Sequence, residues 1–181
     1  MPDNQLFETE IGDETIYKGR IVNLHVQRVR LPNGKEAKRE IVFHSGAVAI
    51  VPLLPGDQTI LVRQFRKPAG KVLLEVPAGT LNPQEDLQSA ANRELREETG
   101  YQAHSWQRMG GIFVAPGYST EYIHLYLASD LTRAPLQADD DEFIETINLP
   151  LQAAIEKIYS GEIEDAKTVS GLLMAIRFIS R

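Results

Sequence analysis

Apolar and polar residues alternate in the first part of the chain in a way that predicts extended strands rather than helices. Residues 15–17 are followed by residues 22–26, which carry an apolar side chain at every second position, as in a strand with one buried face. Val29 and Leu31 lie on the opposite parity, which predicts a bulge or a bend in one long strand. The turn signal Pro32-Asn33-Gly34 predicts a hairpin with a returning strand. We expect a small antiparallel β appendage over residues 1–45, which should pack on the main domain or across a dimer because it has too little core alone.

From residue 46 onwards, the pattern predicts strands and helices in mixed order. Residues 47–54 form a continuous apolar run, which is typical of a strand buried on both faces. Further strands are predicted at residues 59–64, 73–76, 106–113, 122–128 and 143–149. Helical periodicity predicts two C-terminal helices, at residues 151–159 and 165–179. This order of elements indicates an α/β sandwich domain over residues 46–181.

A short helix is predicted at residues 87–99, between two of these strands. Leu87, Ala91 and Leu95 recur at every fourth position, so they form one apolar stripe that faces the core. Gly100 follows at the position where a helix often ends on a left-handed residue. The pattern therefore defines both the buried face and the end of this helix.

Three glutamates at the end of this helix are unusual for an element built only for stability. Glu94 and Glu98 are four residues apart, with Glu97 beside them, and like charges at this spacing destabilise a helix by a few tenths of a kcal/mol per pair. The plain alternative is a solvated acidic helix with ordinary charge pairs. A hard divalent cation such as Mg²⁺ would explain the arrangement, because it prefers carboxylate oxygens and keeps waters for a phosphate substrate.

The acidic helix lies within a longer pattern of fixed spacing. The pattern is Gly, five residues, Glu, seven residues, then Arg-Glu-apolar-any-Glu-Glu-any-Gly-apolar. Its members here are Gly79, Glu85, Arg93, Glu94, Leu95, Glu97, Glu98, Gly100 and Tyr101. This pattern resembles the Nudix box, the signature of enzymes that hydrolyse nucleoside diphosphates linked to another group, and its chance match is on the order of 10⁻⁹ per window. The resemblance implies an α/β (α+β) fold, the Nudix-type α/β/α sandwich with a mixed sheet, and a pyrophosphohydrolase activity.

The resemblance also implies which residues of the box act. It makes Glu94 and Glu98 the main metal ligands, with Glu97 for further ions and the Ala78 carbonyl as an additional ligand. Mg²⁺ is the expected metal, and Mn²⁺ suits the same oxygen ligands. Gly79 would let the backbone approach the ion closely.

Glu85 and Arg93 are expected to play a supporting role. They are eight residues apart, and in the family they pair to hold the loop onto the helix. The alternative is that Arg93 is an ordinary i, i+4 partner of Glu97.

A second acidic run, Asp139-Asp140-Asp141-Glu142, is a candidate source of the catalytic base. Taken alone, such a run is most often a solvated loop. In relatives that cleave ADP-ribose, a loop glutamate in this region is the base. We choose Glu142, and its three acidic neighbours stay open as alternatives.

Features outside the box resemble the ADP-ribose pyrophosphatase subfamily. Pro116 lies fifteen residues after Tyr101, an offset similar to that of a proline in that subfamily. Glu75 stands in a Glu-apolar-Pro-Ala-Gly entry to the box, and Arg66 ends a strand that resembles the one meeting the substrate's phosphates. We therefore expect hydrolysis of ADP-ribose to AMP and ribose 5-phosphate.

Three residues outside the box are expected to contact substrate, and each of them also has a plain alternative role. Arg66 can bind a diphosphate through two hydrogen bonds, or it is a surface cation. Glu75 can accept hydrogen bonds from ribose or adenine, or it lies on an exposed strand face. Glu121 follows the Pro116 loop and reaches substrate or metal, or it is a surface residue.

The N-terminal segment is expected to complete the adenine pocket. Arg20 and Ile21 lie in a stretch that resembles the subfamily, and in relatives that pocket uses residues from both subunits. The resemblance therefore implies a homodimer.

Composition excludes several other classes. The formal net charge is −6, which argues against a nucleic-acid partner because neutralising phosphates needs a basic patch. The chain has no cysteine, so neither disulfides nor thiolate chemistry are expected. We see neither a secretory signal nor an apolar run of membrane-spanning length, and we expect a cytoplasmic enzyme.

Two rival functions remain. The first is the same chemistry on another nucleoside diphosphate sugar such as GDP-mannose, which the sequence separates only through Pro116 and Glu75. The second is a non-catalytic Nudix module that senses a nucleotide and regulates a partner. The intact box argues against the second, because a pure sensor need not keep all three glutamates.

Overall fold

The computed structural model describes residues 6–137 and 143–179, and within these residues it has ten strands and three helices. The chain forms two compact units. The first unit holds the chain before Gly46 together with Phe113–Tyr122, and the second holds Gly46–Ile112 with the chain from Ile123 onwards.

The first unit is built on a three-stranded antiparallel sheet in the order β1-β2-β3. Its strands are β1 (Thr9–Lys18), β2 (Asn23–Arg30) and β3 (Glu36–Phe43). The prediction of one long bent strand is wrong. The chain instead turns at residues 19–22, where the Gly19 N–H donates to the Val22 carbonyl oxygen at 2.9 Å.

The register irregularities of this sheet lie in β1 rather than in β2. They fall between Glu10 and Gly12 and between Thr15 and Tyr17, whereas β2 pairs with β3 without a shift. The change of parity in β2 arises because most of its residues are partly buried, so apolar side chains are tolerated on both of its faces.

The loop around Pro116 extends the first unit beside β3. The Val42 N–H donates to the Tyr118 carbonyl oxygen at 2.7 Å, and the Thr120 N–H donates to the Val42 carbonyl oxygen at 3.0 Å. These two bonds form a short parallel bridge at Val42 and Ser119. The loop is thereby fixed through its backbone, whatever side chains it carries.

The second unit contains a mixed sheet in the order β10-β5-β4-β9-β8, with β6 paired to β5 and β7 paired to β4. Its strands are β4 (Ala47–Leu54), β5 (Gln58–Arg66), β6 (Lys71–Glu75), β7 (Ala78–Thr80), β8 (Tyr101–Phe113), β9 (Tyr122–Arg133) and β10 (Glu145–Pro150). The central pair β4 and β9 is parallel, and β5 runs antiparallel to β4, β6 and β10. The mixed sheet was predicted and is confirmed.

Helices cover both faces of this sheet, and β4 shows why. They are α1 (Leu87–Thr99), α2 (Leu151–Tyr159) and α3 (Ala166–Ile179). Val48 and Ile50 of β4 pack in one core cluster with α1, whereas Ala49 and Val51 pack in the other with α2 and α3. A strand between two helical layers is buried on both faces, so the predicted α/β/α sandwich is confirmed.

No helix within the described residues has the combination of length and apolar character needed to cross a bilayer.

Candidate active site

The ends of α1 are fixed by short-range contacts. At its start, the Asp86 carboxylate accepts a hydrogen bond from the Ser89 N–H at 3.0 Å, the usual role of an N-cap aspartate. At its end, Gly100 has φ 75°, and its N–H donates to the Arg96 carbonyl oxygen at 3.0 Å. This left-handed backbone favours glycine. The last two turns of α1, which carry the acidic residues, are thereby held in place.

Arg93 lies at the centre of the acidic residues. Its Nε and Nη2 donate to the two oxygens of Glu85, each at 2.9 Å. Its Nη1 donates to Glu94 Oε1 at 2.7 Å and to Glu97 Oε2 at 3.0 Å. The hydrogen bonds between Arg93 and Glu85 lower the pKa of Glu85 and raise that of Arg93. The loop contact with Glu85 and the i, i+4 pair with Glu97, which the sequence left as alternatives, are both present.

Strand β7 brings the backbone against two carboxylates of α1. Glu98 Oε2 accepts a hydrogen bond from the Ala78 N–H at 3.1 Å. A Cβ atom at Gly79 would lie 2.0 Å from the Glu94 carboxyl carbon, far inside any permitted contact. Glu94 and Glu98 are 9% and 7% exposed. Position 79 is glycine for lack of space, because a side chain there would displace the Glu94 carboxylate.

A second ion pair joins β5 to β6. Arg66 Nε and Nη2 donate to the two oxygens of Glu75 at 2.8 and 2.7 Å. The Glu75 side chain is 1% exposed and that of Arg66 is 40% exposed. Burial raises the pKa of Glu75, but hydrogen bonds from Arg66 and the charge of Lys167 outweigh it, so the net shift is downward. Glu75 therefore does not lie on an exposed strand face, and its predicted contact with substrate stays a prediction.

Arg66 is influenced by charges beyond its partner Glu75. Its pKa is raised chiefly by the hydrogen bonds to Glu75, and also by the charges of Glu98 and Asp165. The charge of Glu98, a predicted metal ligand, thus acts on Arg66, a predicted substrate residue.

Three residues at the start of α3 extend this ion pair, and sequence reasoning assigned none of them a role. Lys167 Nζ donates to Glu75 Oε2 and lies 3.0 Å from Asp165 Oδ2. Thr168 Oγ1 accepts a hydrogen bond from the Val76 N–H at 2.9 Å and itself donates to Asp165 Oδ2. The available signal was the stretch Asp165-Ala166-Lys167-Thr168, which resembles the ADP-ribose pyrophosphatase subfamily.

The other predicted substrate residues belong to the first unit. Arg20 and Ile21 lie in the turn between β1 and β2 and are exposed. Pro116 is exposed in its loop, and Glu121 is half-buried with its N–H donating to Ser119 Oγ at 3.1 Å. The predicted base Glu142 lies outside the described residues.

Family comparisons decide what this arrangement represents. A sequence model of the NUDIX domain matches residues 43–171, and one of the nucleoside diphosphate sugar hydrolase N-terminal domain matches residues 8–42. The chain belongs to the Nudix family. The family predicted from the box is therefore confirmed, and the second match covers most of the first unit's sheet.

Individual relatives of this Nudix chain align over most of its length. An ADP-ribose pyrophosphatase from Bacillus subtilis is 41% identical, over 90% of this chain and 89% of the relative. A methanol dehydrogenase activator from Bacillus methanolicus is 43% identical, over 91% of each. Among solved structures, an ADP compounds hydrolase superposes with a TM-score of 0.86 at 25% identity, over 97% of this chain and 96% of the other.

The Nudix box of this chain fits a divalent cation by charge and donor type. Residues 79–101 carry five carboxylates and two arginines, so a formal charge of −3 remains there, and a hard cation would offset it. Within residues 6–137 and 143–179, no three His, Asp or Glu side chains already form a metal-binding group. Arg93 Nη1 is hydrogen-bonded to both Glu94 and Glu97.

Proposed function

We propose that this Nudix chain hydrolyses ADP-ribose to AMP and ribose 5-phosphate with the help of Mg²⁺, for which Mn²⁺ can substitute. The observation that carries the proposal is the complete box, assembled on α1 around Arg93. The Bacillus subtilis relative, an ADP-ribose pyrophosphatase, supports the choice of substrate.

The metal site consists of the Glu94, Glu97 and Glu98 carboxylates and the Ala78 carbonyl. A bound Mg²⁺ neutralises charge on phosphate oxygens and makes a bound water more acidic. The absence of a side chain at Gly79 leaves the space beside the strand that the Glu94 carboxylate occupies.

The chain's own residues bind and orient the diphosphate. Arg66 donates hydrogen bonds to its oxygens, because a planar guanidinium matches phosphate geometry better than an ammonium group does. Glu85 and Arg93 hold the loop before α1 to the helix and so orient the ligands beside it. Glu142 accepts the proton of the attacking water. Water thus adds to one phosphorus, the bridging P–O bond breaks, and two monophosphates leave.

The proposal also covers the role of the first unit and the assembly of the chain. We assign residues 1–45 as an appendage and residues 46–181 as the hydrolase domain, with Arg20 and Ile21 at the adenine and with Pro116 and Glu121 as further substrate residues. We further propose a homodimer in the cytoplasm without a nucleic-acid partner. The net charge of −6 supports the last point.

The test is product analysis after incubation with Mg²⁺ and ADP-ribose, GDP-mannose or ADP-glucose, with an EDTA control. We expect AMP and ribose 5-phosphate from ADP-ribose, and no products with EDTA. Restoring Mg²⁺ in excess over the chelator should restore the rate.

Other outcomes have definite meanings. Faster cleavage of GDP-mannose or ADP-glucose would preserve the chemistry and overturn the substrate. Tight binding of one nucleotide without cleavage of any would favour a sensor that regulates a partner; one relative is named as a methanol dehydrogenase activator.

A further inference from the structure

Four charged side chains form a compact cluster where β5, β6 and the start of α3 meet. We call this set, Arg66, Glu75, Asp165 and Lys167, the Glu75 cluster. It holds two carboxylates and two cations, so its formal charge is zero. Lys167 contacts both carboxylates, and Arg66 contacts Glu75 through two hydrogen bonds.

The burial of Glu75 determines what this carboxylate can do. Its side chain is 1% exposed, and it already accepts three hydrogen bonds, two from Arg66 and one from Lys167. A carboxylate has about four lone-pair sites, so little capacity remains for a ribose or an adenine. Glu75 is therefore suited to holding Arg66 rather than to meeting substrate directly.

Arg66 is held on one side and accessible on the other. Its Nε and Nη2 bind Glu75, while its side chain remains 40% exposed. Within the described residues, its Nη1 makes no hydrogen bond to protein. The outer edge of the guanidinium can therefore donate to an anion, and Glu98 of the box lies within its electrostatic reach.

Lys167 links the two carboxylates of the Glu75 cluster. Its side chain is 11% exposed, and its ammonium group joins Glu75 of β6 to Asp165 before α3. Without it, Glu75 would lose one of the contacts that fix its rotamer.

We propose that Lys167 is a positioning residue which acts through Glu75 to hold Arg66 in place for the diphosphate of the substrate. This inference rests on the proposed function, and it reassigns Glu75 from a substrate contact to the link between the two cations. Lys167 itself does not touch the diphosphate.

The test is a double-mutant cycle on the full chain with ADP-ribose and Mg²⁺. Lys167→Met should raise KM about tenfold, the scale expected for hydrogen bonds to charged groups, and should change kcat much less. Arg66→Met should raise KM at least as much. In the Arg66→Met background, Lys167→Met should then have almost no further effect, because its action passes through Arg66.

Three further variants separate positioning from general stability. Lys167→Arg should recover most of the wild-type KM, because a guanidinium can still bind both carboxylates. Lys157→Met is the matched control, since it removes a cation paired with the exposed Glu162 and should leave KM unchanged. Lys167→Gln, a smaller loss of packing, enters the same cycle if Lys167→Met does not fold.

Multiplicative effects of the two single changes on KM would overturn the inference, and so would a loss of melting temperature without any change in KM. If the wild-type chain does not cleave ADP-ribose, the proposed function fails on its own. The same cycle, measured as the Kd of ADP with Mg²⁺ by calorimetry, then still decides between coupled and independent effects.

Discussion

The second unit contains two charged clusters that differ in their balance of charge. The box residues around Arg93 carry an excess of carboxylates, and Arg93 alone binds three of them. The Glu75 cluster pairs two carboxylates with two cations and buries its central glutamate almost completely. An excess of negative charge indicates a site that a ligand cation must complete, whereas a balanced cluster is complete within the protein and can hold other groups in place.

The largest loss of activity is expected when a carboxylate of the box is changed. Glu98→Gln keeps the shape of the side chain and removes its charge, so we expect at least about a hundredfold loss of kcat/KM with the fold intact. Steady-state kinetics and circular dichroism measure the two effects. Glu145→Gln is the control, because Glu145 is an exposed partner of Arg63. A Glu98→Gln variant with a near-normal rate would remove Glu98 from the metal site.

Changing the centre of the box should affect activity and stability together. Arg93→Met leaves Glu85, Glu94 and Glu97 without their shared donor, so we expect a loss of about ten- to a hundredfold in kcat/KM. We also expect a loss of about 1–3 kcal/mol in the free energy of unfolding. Urea denaturation gives the second value. Unchanged stability would mean that the three carboxylates form equally favourable contacts without Arg93.

A change at Thr168, which donates a hydrogen bond to Asp165 of the Glu75 cluster, should mainly affect stability. Thr168→Val removes the hydroxyl that accepts from the buried Val76 N–H, and an unsatisfied buried N–H costs about 1–3 kcal/mol. We expect a lower melting temperature with kcat within about twofold of wild type. Thr168→Ser, which retains the hydroxyl, is the matched control, and an equal loss in both variants would contradict the hydrogen bond to Val76 as the cause.

The smallest expected effect is a change in how the free energy of unfolding falls at acidic pH when Glu75 is replaced. The folded-state pKa of Glu75 is lowered from its ordinary value, since its cationic partners outweigh burial. Its carboxylate therefore stabilises the fold fully above the unfolded pKa of about 4.3, and this contribution is lost as pH falls through the folded pKa. Glu75→Gln should show a shallower decline in unfolding free energy between neutral and acidic pH. An unchanged slope would show that the pKa of Glu75 does not differ between the folded and the unfolded state.

Local sequence patterns predicted α1 and the box well. The predicted bounds of α1 at residues 87–99 match Leu87–Thr99, because an N-cap, an apolar stripe and a terminal glycine all act within a few residues. The acidic residues were predicted to meet on one helix, and helical periodicity is sufficient for that. The reach of Arg93 to Glu85 came from the family resemblance and not from periodicity.

The Glu75 cluster could not be derived in this way. Lys167 meets Glu75 across 92 residues of sequence, and no periodicity links a hairpin to a helix so far away. The burial of Glu75 was missed for the same reason, since an isolated glutamate in a strand looks exposed until its two cations are known. In the first unit, weak burial on both faces of β2 obscured the alternation, and the prediction of one long strand failed there.

Gly79 gives the Nudix box an unusual mutational sensitivity. Its backbone does not require glycine, because its φ lies outside the left-handed region, yet one added methyl group would meet the Glu94 carboxylate at 2.0 Å. Gly117 also has a φ outside that region but has no atom within 4 Å of a built Cβ. In a scan scored by activity, alanine should be accepted at position 117, whereas at position 79 it should lower the rate because the Glu94 carboxylate must move.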